Sequence, residues 1–132
     1  MLETDEMSAT SYRHKIDALL TAGAANLGCS KYSTALGHLG IDTKNIDVTN
    51  WNSIFQILDA VLRMAHIYAD KITEALACCC LSQLYFQLRD DEKGAFYPMK
   101  AESLLARYGE QWDSKNKCTI MLSMANAERK VR

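Results

Sequence analysis

A chain of 132 residues with 48% apolar side chains has the size of one domain and can bury a core without metal or disulfide. Its 15 basic and 16 acidic residues leave a formal net charge of −1 and no basic stripe, which removes the electrostatic footprint of nucleic-acid binding. A single proline and six scattered glycines favour helices joined by short turns over a β fold.

Residues 1–10 are acidic and hydroxyl-rich and read as a flexible tail, so the domain proper is expected over 11–132. Ser11 is placed to cap a first helix over 12–28, in which Tyr12, Ile16, Leu19, Leu20, Gly23 and Leu27 recur at helical steps. The patch Gly28, Cys29 and Ser30 breaks it. A short helix over 31–39 follows, with Tyr32, Ala35, Leu36 and Leu39 on one face and Gly40 as its stop.

The segment 41–50 is rich in Asp, Asn and Thr, which compete for backbone hydrogen bonds, and reads as the main internal loop. Thr49 or Asn50 would cap a third helix over 51–69. Trp51, Ile54, Phe55, Leu58, Val61, Leu62, Ala65 and Tyr68 form its apolar stripe. On the opposite side Asn52, Gln56, Asp59 and Arg63 make a continuous polar ridge.

A fourth helix over 71–88 is apolar almost all round its middle, so it must be covered on several sides and belongs at the centre. Asp90 or Asp91 would cap a fifth. Pro98 then falls inside it, which implies either a kinked helix over 91–108 or a loop reaching Tyr97, and the kinked form is preferred. Gly109 ends that element. Asp113 or Ser114 caps a last helix with Cys118, Met121, Leu122, Met124, Ala125 and Val131 as its stripe. The fold class is therefore all-α, about six antiparallel helices, either stacked as helical hairpins or closed into a bundle.

No arrangement of side chains points to catalysis. His14, His38 and His66 lie on different helices, and none has the metal-binding spacing of a second ligand. His66 and Asp70 are spaced for an ordinary pair along one helix. Cys78, Cys79 and Cys80 are consecutive and cannot converge on one metal, so these, Cys29 and Cys118 are expected as small buried hydrophobes. No phosphate-binding or nucleophile motif occurs, and no cofactor is expected. The longest apolar stretch, 74–88, is interrupted by Ser82, Gln83 and Gln87 and is too short to span a membrane. With an acidic rather than basic start, the expected compartment is the cytoplasm or nucleus.

Two segments share an order of small and large residues: Gly23, Ser30, Tyr32, Ala35, Leu36 and Leu39, then Leu81, Ser82, Tyr85, Gly94, Ala95 and Ala101, with Asp91 where an aromatic is usual. In this the chain resembles the tetratricopeptide-like class of helical repeats, including the looser repeats of SNAP-type adaptors. The resemblance implies a short superhelical array whose concave wall receives a peptide or a partner's helix. The expected function is a non-catalytic adaptor or assembly subunit, with Asn52, Gln56, Asp59 and Arg63 as candidate partner-binding residues. The other reading is a regulatory or enzymatic bundle whose site is completed by a ligand or a second chain. The C-terminal helix, which lacks a cap, is a candidate surface for homo- or hetero-oligomer contacts, or for the continuation of a longer repeat array.

Overall fold

The most buried helix carries a run of small side chains through its middle. In a computed structural model that describes residues 9–27, 31–42 and 50–130, α4 (Lys71–Gln87) buries Ala75, Ala77, Cys78, Cys79 and Cys80 along successive positions. Side chains this small let neighbours approach on every side, and α4 packs against α1 (Ala9–Leu27), α3 (Trp51–Ile67), α5 (Asp91–Tyr108) and α6 (Ser114–Lys130). The short α2 (Lys31–His38) packs on α1 and α3. The fold is all-α, with antiparallel hairpins stacked into an array, and no strand occurs among the described residues.

The connections repeat one solution. After α3, Ala69 takes the left-handed conformation (φ 59°), and the amide of Asp70 reaches back to the carbonyl of Ala65. Asp70 then caps α4, accepting from the amide of Thr73 at 3.2 Å. After α4, Arg89 (φ 69°), the Asp90–Tyr85 backbone bond and the Asp90 cap on the amide of Lys93 do the same for α5. These closures satisfy the last carbonyls of one helix and the first amides of the next, and they reverse the chain within a few residues. Gly40 (φ 80°) closes α2 in the same way, with Ile41 bonded back to Leu36.

Asn50 caps α3, accepting from the amide of Asn52, and Asp113 caps α6, accepting from the amide of Asn116. Between α5 and α6, Gly109–Gln111 form a single 3₁₀ turn.

The α4–α5 crossing turns on one missing hydrogen. Pro98 sits inside α5, which runs unbroken past it, so the loop alternative for residues 91–97 is not adopted. Proline has no amide hydrogen, which leaves the carbonyl of Gly94, four residues earlier, without its helical donor. The buried hydroxyl of Ser82 on α4 donates to that carbonyl at 2.6 Å. Gly94 allows the approach: a Cβ there would lie 2.7 Å from Cδ1 of Phe86. Gly23 serves the α1–α2 crossing similarly, since a Cβ would collide with the ring of Tyr32.

Several expectations need correction. The first helix begins at Ala9, so Ser11 lies inside it and the tail boundary at residue 10 falls within the helix. Leu39 is 62% exposed rather than packed, because α2 ends at His38 and the chain turns away at Gly40. The last helix buries Ile120 and Ala127, with Ser123 and Met124 partly covered. Cys118, Met121, Leu122 and Ala125 face solvent. The apolar stripe read from its sequence is real in spacing, but α6 turns a different face to α4 and α5. Cys118 is accordingly not a buried hydrophobe, whereas Cys78, Cys79 and Cys80 are. The break at 28–30, the loop with Thr49 over 43–49, the tail over 1–8, the Leu27 side chain and Val131 lie outside the described residues.

Candidate functional site

Two grooves flank α4. At about 100° per residue, Leu76, Cys79, Cys80 and Gln83 project from one side of that helix and Leu81 and Tyr85 from the opposite side. The first set lines a groove of about 640 Å³ between α1, α4 and α6. The second lines a shallower groove of about 420 Å³ that α3 and α5 complete.

The α1–α4–α6 groove divides its chemistry between walls. Leu19, Ala18 and Ala22 from α1 and Leu76, Cys79 and Cys80 from α4 give an apolar floor with small residues that leave depth. From α6 come Asn116, Thr119, Ser123 and Asn126, spaced by three and four residues and therefore aligned along the helix, with Lys115 and the apolar Leu122 beside them. Gln83 and Lys15 stand at the α4 and α1 rims. An apolar floor beside the side-chain amides of Asn116 and Asn126 can take side chains on one side and main-chain N–H and C=O groups on the other.

In this groove burial disfavours the thiolate form of the cysteines. Burial pushes Cys79 up to about 11 and Cys80 up to about 12, against a lowering pull from the Lys15 ammonium. Burial likewise pushes Cys78 to about 12. Thiolate chemistry needs the reverse shift.

The groove over α3, α4 and α5 receives three of the four residues of the predicted ridge. Asn52, Gln56 and Asp59 line it together with Phe55, Leu81, Tyr85 and Tyr97. Arg63 stands outside it and pairs with Asp59 at 2.9 Å, one helical turn along α3. The aromatic lining has no local signal in the sequence: Phe55 falls on the apolar stripe of α3, and Tyr97 immediately precedes Pro98. Burial, then the neighbouring Tyr85, raises the pKa of Tyr97 above its ordinary value.

The 43 kDa receptor-associated protein of the synapse from Tetronarce californica is 35% identical to this chain over 112 residues. That match covers 85% of the chain but 23% of the relative. The protein of the same description from Gallus gallus is 40% identical over 83 residues, covering 60% of the chain and 20% of the relative. The chain thus spans about a quarter or less of the relatives' length. Both relatives are described as receptor-associated proteins and not as enzymes. No known family's sequence profile matches the chain, and no solved structure does.

At the junction of α2, α3 and α4 the structure corrects one pairing. His66 meets Glu74, not Asp70, at 3.4 Å, and Glu74 also lies 3.4 Å from Lys71. Asp70, 6% exposed, instead accepts from the hydroxyl of Tyr32 at 3.0 Å while capping α4. A cap that is also the anchor of a distant tyrosine has no signature in local sequence. No cluster of His, Cys, Asp and Glu able to hold a metal occurs among the described residues. Nor is any described helix long and apolar enough to cross a membrane.

Proposed function

We propose that this chain is a non-catalytic interaction module, part of an adaptor or of a larger assembly, that holds an extended peptide or a partner's helix in the α1–α4–α6 groove. The observation that carries the reading is the apolar floor of that groove with the amides of Asn116 and Asn126 aligned along its α6 side. The raised thiols argue against a nucleophile in it. The relatives' description as receptor-associated proteins agrees with an adaptor role. Small residues at two helix crossings, Gly23 against Tyr32 and Gly94 against Phe86, support the finer reading of tetratricopeptide-like hairpins. Free, buried thiols suit a reducing compartment, the cytoplasm or nucleus.

The test is selection of binding peptides from a displayed library, followed by plugging of the groove. Ala22→Trp fills the floor and is expected to abolish binding of the selected peptides, with the helical circular dichroism unchanged. Binding that survives the plug would remove this groove as the site. Separately, Cys118, Met121, Leu122 and Ala125 place an exposed apolar stripe on α6, suited to a copy of the chain or to another subunit. Sedimentation that stays monomeric at high concentration would remove self-association from the reading, and a dimer dispersed by Met121→Glu would support it.

A further inference from the structure

The groove over α3, α4 and α5 has a chemistry that its counterpart across α4 lacks. Phe55 and Tyr85 have ring centroids 4.9 Å apart, and Tyr85 and Tyr97 lie nearly parallel, 5.6 Å apart with an interplanar angle of 4°. Rings this close leave no space for a cation between them, which would need about 3.5 Å on either side. Tyr85 and Tyr97 stack on one another and Phe55 is tilted by 50° to Tyr85, so the rings make a packed aromatic wall and not a cage, against which a flat group fits.

The groove carries one carboxylate and two amides beside the rings. Asp59 supplies a carboxylate whose charge also raises the Tyr97 pKa, and Gln56 and Asn52 supply amide oxygens one and two turns before it. We infer that this groove receives the guanidinium of an arginine on a basic partner segment, stacked on the tyrosine wall with its N–H edge toward Asp59. A guanidinium is planar, weakly hydrated and forked, so one group can satisfy a π face and a carboxylate together, which an ammonium does less well.

The molecule's own cations already take up these two interactions. Arg63 holds Asp59 at 2.9 Å, and the Lys93 ammonium stands 5.4 Å from the centre of Tyr85. Both are replaceable: the Arg63 and Asp59 side chains are 76% and 51% exposed, and an exposed pair one turn apart on a helix is weak. An arginine arriving from outside competes with Arg63 for the carboxylate and with Lys93 for the ring. Removing either resident cation should therefore strengthen binding. This inference does not depend on the groove on the opposite side of α4.

The experiment is an NMR titration of the whole chain with a capped Gly-Arg-Gly-Arg-Gly peptide and its lysine counterpart. The arginine peptide is expected to shift the resonances of Phe55, Asp59, Tyr85 and Tyr97 and to bind about threefold or more tightly than the lysine peptide. Arg63→Ala and Lys93→Ala should each tighten binding about twofold, and Asp59→Asn should weaken it about fivefold. Ala22→Trp, in the other groove, should change nothing. The inference is overturned if saturating arginine peptide leaves these resonances in place or if the two peptides bind equally. Arg63→Ala binding no more tightly than the parent chain, or a titration altered by Ala22→Trp, would overturn it as well.

Discussion

Ser82, Gly94 and Pro98 form a unit in which each residue accounts for the next. The proline removes a donor, the glycine lets α4 come close, and the serine replaces the donor from across the interface. Ser82→Ala should cost about 1–3 kcal/mol, because it leaves a buried carbonyl without a partner. Pro98→Ala restores an amide hydrogen at the right place. In that background Ser82→Ala should cost less by about 1 kcal/mol or more in a denaturant double-mutant cycle, whereas additive effects would contradict the unit. Gly94→Ala, which drives a Cβ into the Phe86 ring, should lose about 1–3 kcal/mol. Gly37→Ala meets nothing within 4 Å and should lose none.

The buried thiols give a pH signature at the same scale. In the folded chain Cys78 and Cys80 ionise near 12 and Cys79 near 11, above the ordinary value of 9.0, because burial disfavours the thiolate. The unfolded chain therefore releases these protons first as pH rises. The stability that comes from keeping the thiols neutral is complete below pH 9 and is lost as pH climbs from about 9 toward 11–12. Urea midpoints measured across that interval should fall steeply, and replacing the three cysteines with alanine should flatten the fall. Under native conditions an alkylating reagent should label Cys118 well before Cys78, Cys79 or Cys80.

At the scale of elements, Asp70 and Asp90 are a natural experiment. Both follow a left-handed residue and both cap the next helix, but Asp70 alone also receives a buried hydroxyl, that of Tyr32. Asp90→Ala should cost about 1 kcal/mol, the usual price of an N-cap. Asp70→Ala should cost about 1 kcal/mol more, since it also takes from the Tyr32 hydroxyl its carboxylate acceptor. Equal losses in thermal unfolding would mean that the tyrosine contact contributes nothing.

This contrast also marks what the sequence could and could not disclose. Helices α3, α4 and α5 were legible nearly to the residue, because strong periodicity and Asp or Asn caps are local signals. The central place of α4 followed from apolar residues around its full circumference. The orientation of α6 did not follow, because its apolar positions admit two stripes and only contact with α4 and α5 chooses Ile120 and Ala127. The candidate ridge was visible as spacing on α3, but the aromatic wall that turns it into a groove is assembled from three helices. The Tyr32–Asp70 bond joins residues 38 apart and has no local trace at all.

For the whole molecule, the account rests on α4 as the rod to which both grooves are fixed. Its opposite faces form the floor of one and a wall of the other, and its burial against α1, α3, α5 and α6 makes both available before any partner arrives. A preformed groove avoids the ordering cost of folding on binding. Native-state hydrogen exchange in rising denaturant tests this most directly. Amides of residues 76–86 should be the slowest in the chain and should open only in the global unfolding reaction, with a free energy equal to that from urea denaturation. If those amides exchange through a cheaper opening than amides of α1 or α6, then α4 is not the frame and the grooves are not preformed.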